Sequence, residues 1–266
     1  MNISFHTGKS AMIAQAKALE VYANNIANLN TYGYQTLRPD FADCIYESYR
    51  RDFVDSDNDG QKDILETDWQ TGHGVYLQKT AFMFSESHFY ETGIMLDYAI
   101  AGEGFFAVQD RWGETHYTRD GSFAMTQIDE EVAQVGTERA NWYLVSDAGE
   151  YVLDYEGNRI VVPFDAEDET RTSVDYPALN AMIGVYDFPN PYGLDALGTN
   201  RYSATGRSGE PVANPFEEKL QGVLIVSNVD LATQMVKLIE TQRAYQISSR
   251  VVTTADEFAR IANNLR

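Results

Sequence analysis

The sequence is poor in cysteine and in positive charge, and each shortage excludes a class of function. Cys44 is the only cysteine among 266 residues, so the chain cannot form an internal disulfide and lacks the thiolates of zinc or iron–sulfur sites. Lys and Arg number 20 against 40 Asp and Glu, which gives a net charge of -20. Nucleic acid and anionic membrane surfaces both attract dense positive charge, and we therefore expect neither as a partner.

Long apolar runs are absent as well. No stretch approaches the roughly 20 apolar residues that a membrane-spanning helix needs, so we expect no membrane insertion. Residues 1–21 form an amphipathic pattern and not the unbroken apolar stretch of a secretory signal. Export from the cytoplasm would therefore use a route without a cleaved signal peptide. The aromatic content of 12% predicts a packed core.

Glycine and proline, which interrupt helices, avoid both ends of the chain. One glycine precedes residue 33, none follows Gly222, and all 7 prolines lie between these two positions. Charge divides the chain in the same way, since residues 1–36 and 220–266 each carry +1 and the middle carries -22. The pattern predicts two helical ends around an acidic middle.

Apolar residues recur at helical spacing in both ends. Steps of three and four predict a helix from Lys9 to Asn30 that ends near Gly33, and a second helix from Leu231 to Leu265. The second helix would be a rod of roughly 50 Å. A helix of this length with an apolar stripe needs other surfaces to cover it, and two helices leave their outer faces uncovered. We therefore expect copies of the chain to stack.

The middle of the chain shows short strand-like runs separated by turn signals, and among the predicted strands are Phe105 to Val108 and Ala181 to Phe188. Short strands at close spacing favour an antiparallel barrel or sandwich over alternating strands and helices. We predict an α+β fold with long paired N- and C-terminal helices, coiled-coil-like, and an inserted all-β barrel or sandwich domain. The predicted boundaries are 1–36 and 220–266 for the helical part, 37–92 for an extended linker or hairpin, and 93–219 for the β domain.

The sharpest chemical motif is the acidic loop 55–66. Carboxylates at loop positions one, three, five, nine and twelve and a carbonyl at position seven can surround calcium with oxygens, and glycine at position six permits the turn. The predicted ligands are Asp55, Asp57, Asp59, Gln61, Asp63 and Glu66. Lys62 stands where an apolar anchor is usual, and a solvated acidic turn is the alternative. Bound calcium would be structural, because the carboxylates leave little coordination for a reacting water.

Four blocks of sequence follow one another in an order that a known family shares. They are Ala23–Asn28 with Thr31–Tyr34, Gly93–Phe106, Tyr117–Phe123, and Ser227–Asp230 with Gln242–Tyr245. With these blocks the chain resembles, over nearly its whole length, the bacterial flagellar basal-body rod and hook proteins. The resemblance implies export through the flagellar type III channel and helical stacking, with the paired termini lining an inner tube. It also implies a structural role in the axial drive shaft that transmits torque to the hook.

Within this family, the Gln-Arg-Ala-Tyr form and the compact length are most similar to the distal rod subunits, and proximal rod or hook subunits are the alternatives. The implied partners are further copies in a helical homopolymer, neighbouring rod and hook proteins, and the bushing rings around the rod where the envelope has them. The predicted subunit-interface residues are Asn24, Asn25, Asn28, Leu231, Met235, Leu238, Gln242, Arg243, Tyr245, Val252, Phe258 and Leu265. For the three asparagines local capping is the alternative, and for Arg243 simple solvation.

Signals of catalysis are weak. Gly102–Ala107 fits a dinucleotide-binding pattern, but a strand and not a helix follows its glycines. The four histidines are scattered without metal spacing or a nucleophile beside them. We expect no enzyme and no cofactor other than structural calcium. A calcium-dependent extracellular β-rich binding module is the alternative function, and deletion of 1–36 and 224–266 separates the two, since it would abolish assembly and spare ligand capture.

Overall fold

The computed structural model describes residues 3–49, 69–84, 88–127, 141–164 and 173–265. The chain divides into two compact units. The helical unit comprises Met1–Ile26, Leu37–Ala81 and Leu231–Arg266, and the β unit comprises Ala27–Thr36 and Phe82–Asp230. The four strands that the structure describes between residues 36 and 83 lie mainly in the helical unit, so most of the segment predicted as linker, 37–92, groups with the terminal helices.

The elements follow one another in a simple order along the chain. The helices are α1 (Ile3–Ala27), α2 (Tyr176–Met182) and α3 (Leu231–Asn264). The strands are β1 (Thr36–Asp43), β2 (Tyr46–Tyr49), β3 (Trp69–Gly72), β4 (Val75–Met83), β5 (Phe89–Glu91), β6 (Tyr98–Ile100), β7 (Phe105–Gln109), β8 (Thr115–Thr118), β9 (Phe123–Gln127), β10 (Trp142–Ser146), β11 (Tyr151–Val152), β12 (Val185–Asp187), β13 (Asp195–Gly198), β14 (Arg201–Ser203), β15 (Val212–Ala213), β16 (Lys219–Gln221) and β17 (Val223–Ile225).

In the helical unit, α1 and α3 lie antiparallel. The C-terminal end of α1 meets the N-terminal end of α3, where Asn25 bonds Gln234, and the N-terminal end of α1 meets the later part of α3, where Gly8 lies against Val252. A methyl group at Gly8 would lie 2.8 Å from Cγ2 of Val252, so glycine allows the close approach. In the same unit β1 pairs with β4 and β2 with β3.

The β unit is built on a nine-stranded antiparallel sheet. Its main strand order is β13-β14-β8-β7-β11-β10-β9, and β12 pairs with both β7 and β15. Two further pairs, β5 with β17 and β6 with β16, complete the unit. The prediction of an α+β chain with terminal helices and a β-rich middle is confirmed. The described strands form no closed barrel, because the sheet order runs from β13 to β9 without pairing its two ends.

The core of the β unit lies on both faces of β7. Alternate side chains of a strand point to opposite faces. Phe106 and Val108 accordingly join one cluster with Leu144 and other buried residues, and Phe105 and Ala107 join a second cluster around Tyr117. Since both faces are covered, β7 reads in the sequence as an uninterrupted apolar run and shows no alternation.

Candidate functional site

The buried residues of α1 and α3 are small or polar. The buried residues of α1 are Gly8, Ala14, Ala18 and Asn25. On α3 they are Gln234, Thr241 and Ala255, with half-buried Ser248 completing a seven-residue spacing. A seven-residue repeat keeps side chains on one face of a helix, and short side chains let the two backbones approach closely. The buried residues of the pair are therefore small or polar, and the half-buried Val252 packs against Gly8 where the backbones approach.

Asn25 joins three elements of the helical unit. Its side chain is fully buried, and its Nδ2 donates to the Leu37 carbonyl at 2.7 Å and to Oε1 of Gln234 at 3.1 Å. Its Oδ1 accepts from the Leu37 amide at 2.9 Å. Buried amide groups need such partners. Leu37, the residue at which the chain returns to the helical unit after α1, supplies two of them. The side chain thereby fixes α1, β1 and α3 against one another.

A second asparagine, Asn228, has a similar role within the β unit. Its Oδ1 accepts from the amide and the hydroxyl of Thr36, both at 2.7 Å. Its Nδ2 donates to Oε1 of fully buried Gln35 at 3.0 Å and to the Met83 carbonyl at 2.7 Å. The residues just before α3 are therefore held to the segment that follows α1 by side-chain hydrogen bonds.

Gly33 shows why the turn after α1 needs glycine. Its φ is +70°, a left-handed conformation that side chains disfavour. A Cβ at this position would lie 2.8 Å from the backbone nitrogen of Asp120, which cannot move away as a side chain could. The Gly33 amide donates to the Ile225 carbonyl at 2.8 Å. The turn is therefore fixed by both conformation and contact.

Leu238, Tyr245 and Val252 of α3 are half-buried beside its buried positions, and eight exposed large apolar side chains point away from that side. At about 100° per residue they occupy an arc of about 160°, and the four positions that pack inward occupy a separate arc of about 60°. We call this set the apolar outer face of α3. Its members, with exposed fractions from 44% to 84%, are Met235, Val236, Ile239, Ile247, Val251, Phe258, Ile261 and Leu265.

Helix α1 carries fewer exposed apolar residues. Phe5 is 37% exposed and Ile13 is 49% exposed. Both line a shallow groove of about 250 Å³ between the helices, with Tyr245 and Val252 of α3 on its other side. Burial raises the pKa of Tyr22 on α1, and the positive charge of Lys237 on α3 partly offsets this rise. The two side chains are therefore close enough to interact electrostatically.

The structure separates the predicted interface residues into three groups. Asn25 is buried within its own chain, while Asn24 is exposed and Asn28 half-buried. Leu231, Met235, Gln242, Arg243, Phe258 and Leu265 are exposed, and Leu238, Tyr245 and Val252 are half-buried. The sequence reasoning missed the small residues that close the pair, although Ala14 and Ala18 stand at a helical spacing that could have indicated a close contact.

The predicted calcium ligands Asp55, Asp57, Asp59, Gln61, Asp63 and Glu66 lie outside the described residues. Among the helices that the structure describes, none is both long enough and apolar enough to cross a membrane.

Three family models match this chain in the order of the predicted blocks. The flagella basal body rod protein model matches residues 5–35, the D1 domain model of the flagellar hook protein FlgE/F/G matches 99–174, and the C-terminal model of the flagellar basal body rod FlgEFG protein matches 220–265. The first covers α1 from residue 5 onward, the second contains β7 to β11, and the third contains α3.

Full-length relatives agree with these matches. The flagellar basal-body rod protein FlgG of Borreliella burgdorferi is 33% identical over 98% of this chain and 97% of its own length. The protein of the same name from Agrobacterium fabrum is 34% identical over 96% of this chain and 95% of its own length. That of Bacillus subtilis is 31% identical over 99% of this chain and 98% of its own length.

Proposed function

Because the chain belongs to the family of flagellar basal-body rod proteins, we propose that it polymerises by packing the apolar outer face of α3 against neighbouring copies. The chain is a structural subunit of the flagellar basal body, and the family associates with itself and with other rod and hook components. The observation that carries the proposal is that eight large apolar side chains of α3 stay exposed on the side opposite its buried residues Gln234, Thr241 and Ala255.

The energies favour an assembly with several neighbours per copy. Full burial of one large apolar side chain contributes about 1.5–3 kcal/mol, and the eight residues of the outer face are roughly half exposed. Covering them contributes on the order of 10 kcal/mol. Association itself costs about 4–15 kcal/mol, so a single contact between two copies is marginal. A helical polymer divides the face among several neighbours and gains further contacts without repeating the full cost of association.

Finer features follow from family membership and form part of the same proposal. The paired helices act as a coiled-coil-like unit that lines an inner tube, and the chain occupies the distal part of the rod, as its similarity to several FlgG proteins supports. The proposal also includes export without a cleaved signal peptide and contact with the bushing rings around the rod. A catalytic role has no place in it, since the relatives are named as rod proteins.

Calcium binding by loop 55–66 is a separate proposal that rests on the sequence pattern alone. Ligands spread over one loop would stiffen the segment between β2 and β3. The polymerisation proposal does not depend on it.

A pair of matched variants tests the outer face. Ile261→Asp places a charge on the face, at a residue that is 53% exposed and so contributes little to the stability of one copy. Asn263→Asp adds the same charge to exposed helix outside the face. Sedimentation and electron microscopy of the concentrated full chain should show polymers for the wild type and for Asn263→Asp but not for Ile261→Asp. Equal assembly of all three would refute the proposal.

A further inference from the structure

A group of ionisable side chains, two of them buried and one half-buried, lies at one end of the nine-stranded sheet, away from any role given above. Asp110, His116 and Glu150 each offer one ligand atom, and the three atoms lie within 4.8 Å of one another. His116 is 7% exposed and Glu150 is 3% exposed. We call these three residues the acid–histidine cluster.

Strand register brings the three residues together. Val108 of β7 stands opposite His116 of β8, so Asp110, two residues further along the chain, lies on the same face of the sheet as the imidazole. On the other side of β7, Gln109 pairs with Tyr151 of β11. Glu150, the residue before Tyr151, therefore stands beside Asp110.

Two hydrogen-bonded turns hold these positions. The Gly113 amide donates to the Asp110 carbonyl at 2.9 Å in the β7–β8 hairpin. The Gly149 amide donates to the Ser146 carbonyl at 2.9 Å in the turn between β10 and β11. Two carboxylates are thereby placed at the ends of neighbouring strands by backbone geometry.

One nitrogen of the cluster lacks a partner. Nδ1 of His116 is buried and has no hydrogen-bond partner among the described residues. Burying a polar atom without a partner costs free energy, and buried polar atoms in native proteins are rarely left so. Ionised carboxylates only accept hydrogen bonds, so the two carboxylates of the cluster cannot satisfy this nitrogen in the tautomer that leaves it unprotonated. A cation among the three side chains would satisfy all of them.

Arg201 is a partner for one carboxylate of the cluster but not for its imidazole. Its Nη1 lies 2.5 Å from Oε1 of Glu150, so one carboxylate has a charged partner. The imidazole nitrogen is not satisfied by this pair, and a carboxylate has a second oxygen that remains for a metal ion. A hydrogen bond of this kind to a ligating carboxylate orients it for metal binding.

We propose that the acid–histidine cluster binds a divalent transition-metal ion, with zinc as the best-fitting ion. One imidazole nitrogen and two carboxylate oxygens are ligands that zinc accepts at about 2 Å, with water completing a four-coordinate site. Binding would draw the three atoms, which lie within 4.8 Å of one another, closer together around the ion. The ion would join the β7–β8 hairpin to the turn between β10 and β11 and so brace this end of the β unit. The proposal does not rest on the polymerisation of the chain.

The test uses the full chain, stripped of metal with a chelator and then titrated with zinc chloride. Asp110→Asn and Glu150→Gln keep the shape of the cluster and remove one ligand charge each, and Glu150→Gln keeps an oxygen for Arg201. Glu114→Gln removes the same charge from an exposed position in the same hairpin and serves as the control. The additional substitution Asp57→Ala in all proteins prevents the acidic loop from contributing to binding.

We expect one zinc per chain in the reference protein and in the control, and binding at least about tenfold weaker in both cluster variants. Cobalt(II) in place of zinc should give the visible absorption of a four-coordinate site. This signal should disappear in the cluster variants. Circular dichroism of the metal-free proteins checks folding, and Asp110→Asn, at the less buried position, carries the test where Glu150→Gln fails to fold. Absence of stoichiometric binding, or equal binding by the cluster variants, would overturn the proposal.

Discussion

Asn25 and Gln234 are hydrogen-bonded although 209 residues separate them in the chain, and this bond joins the two terminal helices. Both side chains are buried, and Asn25 also bonds both backbone groups of Leu37. Asn25 lies in the block Ala23–Asn28, which the chain shares with the rod and hook proteins. It is thus a connector within the helical unit of its own chain. In our proposal it positions α1 and α3 and does not contact a neighbouring copy.

The first prediction concerns this connector. Asn25→Ala removes a partner from the buried Oε1 of Gln234 and from the part-buried backbone groups of Leu37, and an unsatisfied buried group costs about 1–3 kcal/mol. We expect the free energy of unfolding of the helical unit to fall by at least that amount. Denaturant unfolding followed by far-ultraviolet circular dichroism measures it. Asn24→Ala, at an exposed neighbouring position, should cause a smaller loss, and equal losses in the two variants would contradict the connector role.

The second prediction concerns the closest approach of the helices. Gly8→Val adds a branched side chain where a single Cβ already comes within 2.8 Å of Cγ2 of Val252, so the helices must separate. We expect a loss of roughly 1–3 kcal/mol, as for overpacked cores. Val252→Ala removes the opposing methyl groups. The double variant should therefore recover part of the loss, and strictly additive effects would show that the two residues do not meet.

The third prediction concerns calcium. Calorimetric titration of the full chain should show binding that Asp57→Ala weakens strongly, because the third position of the loop supplies a ligand. A matched control is Asp147→Asn, which removes the same charge from an exposed turn elsewhere in the chain. Absence of heat in the wild type, or equal heat in both variants, would leave the acidic loop as a solvated turn.

The helical ends were predictable from the sequence, and the reason is periodicity. The apolar stripe predicted a second helix from Leu231 to Leu265, and the structure has Leu231–Asn264. The strand predicted at Phe105 to Val108 is β7, Phe105–Gln109. What periodicity could not show was which side of α3 its own partner helix covers, because the predicted stripe divides, with Val252 half-buried against Gly8 and Phe258 exposed.

Two features of the β unit were not predicted from the sequence, one for a local reason and one for a long-range reason. The strand predicted from Ala181 to Phe188 begins only at Val185, because α2 occupies the preceding residues. The signal was available, since Asp175 caps the helix through its bond from the Ala178 amide and a proline stands in the first turn. The acid–histidine cluster was not predictable, because strand pairing joins residues that lie up to 40 positions apart in the chain, from Asp110 to Glu150.

The fourth prediction concerns alkaline stability of the β unit. Burial raises the pKa of Tyr98 and Tyr117 from the ordinary value of 10.0 to about 12, and it raises the pKa of Tyr202 as well. Between pH 10 and 12 the unfolded chain therefore loses protons that the folded chain keeps. The contribution to stability is complete below pH 10 and declines as the pH rises toward 12.

Tyr117→Phe removes one of these protons and should make the alkaline loss of stability shallower, while its effect at neutral pH reflects only packing. Tyr192→Phe, at a ring that is 60% exposed, is the matched control and should follow the wild type. Denaturant unfolding at successive pH values gives the slopes, and tyrosinate absorbance shows whether ionisation coincides with unfolding. The prediction would be contradicted if the stability of all three proteins fell equally with pH and tyrosine ionised before the chain unfolded. The buried hydroxyl of Tyr117 would then ionise without opening the core.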